Sequence, residues 1–151
     1  MSTLEDVILH LKKGALLVGV GNDMSGDDAF GPILARRLKS ALGEKAMDTG
    51  LAPENWIGPI RKLNPKILII ADAVAFDGKP GEVRVFQCCE LGDSLPTTHG
   101  PGLGAFIGYL QEILPEIEIF ILAVQPERTG FGKAMSDAVA EAIEKIAKRL
   151  E

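Results

Sequence analysis

The stretch ALLVGVGNDMSGDDAFGPILARRLKSAL, residues 15–42, decides the fold. Its opening, ALLVGVG, is a short apolar run rich in Leu and Val, the pattern of a strand buried on both faces. Turn residues Asn22 to Gly26 follow. The next segment places Phe30, Ile33, Leu34, Leu38 and Leu42 on one helical face, with an acidic start and a basic later portion that suit the helix dipole. Pro32 falls near the first turn, where its missing N–H costs least. Strand, loop and helix in this order open an α/β unit, and the loop sits where a phosphate-binding loop would sit. It does not read as one. A dinucleotide fingerprint begun at Gly19 meets Met24 where its third glycine belongs, and a Walker loop counted from Gly21 meets Asp27 and Asp28 where Lys and Ser or Thr belong. Two carboxylates repel phosphate; the loop has the sign to receive a cation.

Working outward, Leu4, Val7, Ile8 and Leu11 predict a short amphipathic helix over 4–12 that lids the core. Residues 43–50 have room for a short strand, and APENWIGPIRKLNP (52–65) reads as a broken helical or turn-rich crossover. Ile67 to Ala71 predicts a second buried strand ending on Asp72. In GEVRVFQ (81–87), Val83 and Val85 face opposite to Glu82, Arg84 and Phe86, a half-buried strand. Ala73 to Gly81, about nine residues, is shorter than the dozen or more of a parallel crossover, so this strand is expected to run antiparallel near a sheet edge. A helix over 103–114 stops at Pro115, EIEIFILAV (116–124) reads as the last buried strand, and a helix over 134–150 has Ala138, Ala142, Ile143, Ile146 and Leu150 as its apolar face. The alternation predicts a doubly wound, mostly parallel α/β sheet of about five strands, with one antiparallel edge strand and helices on both faces.

At 151 residues, with no repeat or linker, a single domain over 1–151 with a short N-terminal helical extension is expected. Lys and Arg number 16 against 21 Asp and Glu, and the net charge of -5 argues against nucleic acid as a partner. The 46% apolar and 25% charged residues are those of a globular chain. The apolar run Ile119 to Val124 is far shorter than the ~20 residues of a membrane span. The N-terminus lacks the continuous apolar region of a signal peptide, so a cytoplasmic protein with no membrane insertion is expected. Cys88 and Cys89 are neighbours, unable to staple distant segments or supply a spaced zinc pair, which suits a reducing compartment.

Three residues carry the expected chemistry: Asp28, Asp72 and His99. The acidic pair Asp27 and Asp28 fits helix capping as well as cation binding. Asp72 ends a central strand, and open α/β sheets bind ligands outside the carboxyl ends of their strands, although a capped turn suits it equally. If the strand at 117–124 is parallel to the central ones, the helix before it starts at the carboxyl edge and brings His99, in TTHGPG, to the two acids. Two carboxylates and an imidazole make a plausible divalent metal site. His10 has no comparable acidic neighbourhood. The chain contains neither G-x-S-x-G nor H-E-x-x-H. A cysteine hydrolase using Cys88 or Cys89 with His99 is the alternative enzyme, set against structural packing of both thiols.

The segments GVGNDMSGDDAFG, LIIADAV, PGEVRVF, TTH and LAVQPE, in this order from about Leu16 onward, resemble the endopeptidases that mature the large subunit of nickel-iron hydrogenases. The likeness is to the branch acting on formate-hydrogenlyase and related hydrogenases, where LAPENW also has a counterpart. The resemblance implies a twisted five-stranded sheet between helices and removal of a C-terminal peptide from the hydrogenase large-subunit precursor after nickel insertion. It places the family's metal-contacting residues on Asp28, Asp72 and His99, with nickel supplied by the substrate and other divalent metals able to substitute in binding. Residues 1–13 extend beyond many members. A non-cleaving nickel-checkpoint protein or metallochaperone is the non-enzymatic alternative. Gln125 and Glu127, just past the last strand, are expected at the same edge as peptide contacts or as ordinary solvated loop, and Gly100, Pro101 and Gly102 leave little bulk to obstruct a substrate backbone.

Overall fold

A computed structural model describes residues 2–88 and 100–151. Helix α1 (Leu4–Lys12) starts with a capping box in which Thr3 and Asp6 exchange side-chain and backbone hydrogen bonds, and it buries Val7, Ile8 and Leu11. Strand β1 (Leu16–Val20) is buried throughout. The helical stretch expected after it divides into a 3₁₀ turn (Asp27–Ala29), α2 (Phe30–Arg37) and a short α3 (Lys39–Leu42). Phe30, Leu34 and Leu38 are fully buried as their spacing requires, and each contributes roughly 1.5–3 kcal/mol by leaving water. Strand β2 (Ala46–Gly50) occupies the weakly patterned segment, and the crossover becomes a 3₁₀ turn (Pro53–Trp56) followed by α4 (Ile57–Leu63). Asn64, left-handed at φ 48°, terminates α4. Strands β3 (Ile67–Ala73) and β4 (Val83–Gln87), helix α5 (Gly100–Ile113), strand β5 (Glu118–Val124) and helix α6 (Asp137–Leu150) complete the order.

The five strands lie in the order β2-β1-β3-β5-β4, with β1, β2, β3 and β5 mutually parallel and β4 antiparallel to β5 at an edge. The short 73–81 connection does force β4 to reverse, as expected from its length. The two faces carry separate cores. One joins Val7, Phe30, Leu34, Ile143 and Ile146 of α1, α2 and α6; the other joins Ile60, Leu103, Phe106 and Leu110 of α4 and α5. Val83 and Val85 point to the first and Phe86 to the second, so the alternation in β4 separates two apolar faces rather than an inner face from a wet one. The buried stripe of α6 also differs from expectation by about one residue: Val139 and Ala147 are buried beside Ala142, Ile143 and Ile146, leaving Ala138 and Leu150 on the flank. Among the described residues no helix is long and apolar enough to cross a membrane.

This winding creates a switch point. From β1 the chain passes through α2 to β2 on one side, then through α4 across to β3 on the other, with the two helices on opposite faces. The carboxyl ends of β1 and β3 therefore open a crevice between diverging connections, the place where such sheets receive ligands.

Candidate active site

Asp28 and Asp72 flank that crevice. Asp28 sits in the 3₁₀ turn that follows β1 and packs against β3, and Asp72 is the residue after Ala71, which pairs with Gly19 in the parallel register. The approach is close because Gly31 has no side chain: a Cβ there would lie 2.3 Å from the Ala71 carbonyl oxygen and 2.5 Å from that of Val20. Any larger residue would push α2, and with it the acidic turn, off the strand ends.

Although neighbours in sequence, Asp27 and Asp28 do different things. Asp27 is fully buried and its carboxylate accepts from four donors: the N–H groups of Glu127 (2.8 Å), Arg128 (2.7 Å) and Ser136 (2.7 Å), and the Ser136 hydroxyl (2.9 Å). Its role is to fasten the 127–136 loop to the β1–α2 loop. Ser136 in turn caps α6, its hydroxyl accepting from Val139 N–H. Asp28 retains 8% exposure, and its Oδ2 accepts from Asn22 N–H at 3.1 Å, which sets the carboxylate against the loop backbone. No side-chain hydrogen bond caps the 3₁₀ turn or α2, so the capping alternative for the acidic pair is not the arrangement found.

Asp72 is fully buried as the penultimate residue of β3, level with Ala123 of β5. Carboxylates at Asp28 and Asp72 offer hard oxygen donors to a divalent ion. Among the described residues no cluster of three or more His, Cys, Asp or Glu could hold a metal by itself. His99 and Cys89 lie outside the described residues. Because α5 leads into the amino end of β5, which is parallel to β3, the start of α5 at Gly100 is at the carboxyl edge, as the sequence argument required. Cys88 packs half-buried against the α4–α5 core, the surroundings of a structural thiol. His10 is at the opposite end of the molecule, its ring stacked on Phe120 with centroids 5.4 Å apart.

Gln125 corrects an expectation. Its Oε1 accepts from Phe76 N–H (2.8 Å) and Gly78 N–H (3.1 Å), so it holds the loop after β3 in place and is not an ordinary solvated loop residue. The side chain of Glu127 is about half exposed beside Arg128, and it is the residue's backbone N–H that serves the site, through Asp27. Sequence reasoning missed Ser136 and the structural use of Asp27; a buried carboxylate needs donors, but nothing local indicates that they come from a hundred residues away.

A family model described as hydrogenase maturation protease matches residues 32–151. The Hydrogenase 3 maturation protease of Escherichia coli (strain K12) is 37% identical over 139 residues, covering 90% of this chain and 88% of that protein. The crystal structure of the Hydrogenase 3 Maturation protease superposes with a TM-score of 0.75 at 37% identity, over 91% of this chain and 88% of that one. The [NiFe] hydrogenase maturation protease HycI from Thermococcus kodakarensis KOD1 gives 0.77 at 31% identity, over 89% and 88%.

Proposed function

The chain belongs to the hydrogenase maturation protease family, hydrolases of peptide bonds, and from that premise we propose that it removes a C-terminal peptide from the nickel-loaded large-subunit precursor of a nickel-iron hydrogenase. The observation that carries this reading is the pair of buried carboxylates, Asp28 and Asp72, on either side of the β1–β3 switch point. Nickel belongs to the substrate here, arriving on the precursor's own ligands. Asp28 and Asp72, joined by His99, complete its coordination, since carboxylate and imidazole donors suit a borderline divalent ion, and other divalent metals can substitute in binding. Asp28, Asp72 and His99 would hold such a metal, and it would supply Lewis-acid chemistry beside the scissile bond.

The chain's own residues supply position. Asn22 N–H orients Asp28, Gly31 lets the acidic turn reach the strand ends, and Asp27 and Gln125 hold the two loops that border the crevice. The working unit is the whole chain as one domain, and processing takes place in the cytoplasm.

The test is a mass measurement on precursor incubated with the protein. Nickel-loaded precursor with a scrambled tail should lose its C-terminal peptide faster than nickel-free precursor with the native tail. Preferential cutting of the nickel-free form would overturn the metal-reading role, and an unchanged mass in every arm would replace the protease with a non-cleaving checkpoint protein.

A further inference from the structure

Among the described residues five large apolar side chains are exposed, and three of them, Met24, Leu51 and Phe131, lie at the carboxyl edge of the sheet; Leu9 and Tyr109 lie on helices. Met24 and Phe131 belong to two loops joined along their backbones. Gly132 N–H donates to the Met24 carbonyl at 2.7 Å, Gly26 N–H to that of Lys133 at 3.1 Å, and Asp27 N–H to that of Arg128 at 2.7 Å. Gly26 and Thr129 form an antiparallel bridge, and a Cβ on Gly26, whose φ is +59°, would lie 2.5 Å from the Arg128 carbonyl oxygen. From beneath, the Asp27 carboxylate binds the second loop at Glu127, Arg128 and Ser136.

The fold thus spends a buried carboxylate and a cross-loop ladder on a ridge whose side chains it does not use. Met24 is 57% and Phe131 79% exposed, and neither belongs to either core. Methionine and aromatic residues are enriched where protein surfaces meet, and an ordered aromatic in water gains by being covered. Met24 also shares its loop with Asp28, so whatever covers the ridge lies against the crevice entrance. A second copy of this chain seated there would obstruct the site it adjoins, whereas a substrate must approach it.

We propose that Met24 and Phe131 form a docking ridge for the folded body of the hydrogenase large-subunit precursor, engaging an apolar patch beside the base of its C-terminal tail. The inference rests on the protease reading above and adds the surface that selects the substrate. Ridge contacts act on capture, so their loss raises KM and weakens binding, and saturating precursor restores cleavage.

The experiment compares the wild-type chain, Phe131→Ser, and the double variant Met24→Ser with Phe131→Ser against one nickel-loaded precursor, measuring binding by calorimetry and cleavage by mass spectrometry. Binding should weaken and KM rise about tenfold or more in the double variant. Leu9→Ser, an equally apolar change on α1, should alter neither quantity. A double variant that binds and cleaves like the wild type overturns the ridge while leaving the protease reading intact. Wild-type binding without cleavage, weakened in the double variant, supports the ridge and overturns the protease reading; no binding by the wild type overturns both. A wild-type dimer in size-exclusion chromatography that Phe131→Ser dissociates would assign the ridge to self-association and overturn the proposal.

Discussion

The two ends of the sheet carry opposite charge and treat it in opposite ways. At the carboxyl edge Asp27 and Asp72 are fully buried, Asp28 is nearly so, and backbone N–H groups hold Asp27 and Asp28. At the amino edge Lys13, Lys45 and Lys66 surround a cavity of about 360 Å³ together with His10, yet all three lysines are exposed and none forms an ion pair among the described residues. Charged side chains gather at both ends, but only the carboxyl edge spends folding energy on fixing them. A carboxylate in a dry, hydrogen-bonded setting keeps its geometry and feels a low dielectric, whereas a solvated lysine is screened and free to turn. The difference identifies a built site better than the size of a cavity does.

The largest effect should come from the acids at the switch point. Asp72→Asn, which preserves shape, should reduce precursor cleavage by at least about 100-fold with the thermal midpoint nearly unchanged. Asp28→Asn should behave alike; cleavage that survives while the midpoint falls would make Asp28 a structural residue. Asp27→Ala should show the reverse emphasis. It removes the acceptor of four donors, two of them buried on Ser136, so it should cost about 3 kcal/mol, or roughly 6–12 °C in Tm by calorimetry for a chain of this size. A Tm within about 2 °C of the wild type would contradict the fastening role assigned to Asp27.

Next in size is metal affinity. The ligands come from separate loops, and ordering them opposes binding unless the substrate contributes its own, so free nickel should bind only modestly. Nanomolar affinity without precursor, measured by calorimetry, would make the metal a resident cofactor.

A smaller effect concerns acid. The Arg37 guanidinium holds Glu144 below its ordinary 4.5, as Arg149 does for Glu5, and both pairs are on the surface. A depressed folded value means that the stabilisation is present above about pH 4.5 and fades as pH falls through the folded values. Arg37→Gln should therefore flatten the acid limb of a Tm–pH curve slightly and leave neutral pH almost unchanged. The smallest effect belongs to the amino edge. Replacing Lys13, Lys45 and Lys66 together with Gln should leave cleavage kinetics unaltered and stability within about 0.5 kcal/mol per site. A marked rise in KM would show that this end also meets the substrate.

Local pattern made much of the fold legible. The apolar runs of β1, β3 and β5, the 3.6-residue period in α1 and α2, and the short connection forcing β4 to reverse each follow from sequence neighbours. Where reading drifted, a tertiary contact intervened. The stripe of α6 moved by about one residue because Val139 and Ala147 meet the core shared with α1 and α2. The helix expected to start at the acidic pair begins as a 3₁₀ turn that packs on β3.

By itself, then, the sequence determined the alternation of strands and helices, the reversal at β4, and the delivery of acidic residues to the ends of β1 and β3, because periodicity, connection length and turn residues are properties of adjacent positions. Only the tertiary structure decided which strands flank the switch point, and that Asp27 fastens a loop while Asp28 lines the crevice. Both acids carry the same local signal. They are told apart by Glu127, Arg128 and Ser136, a hundred residues downstream, whose N–H groups reach the Asp27 carboxylate through folding of the whole chain.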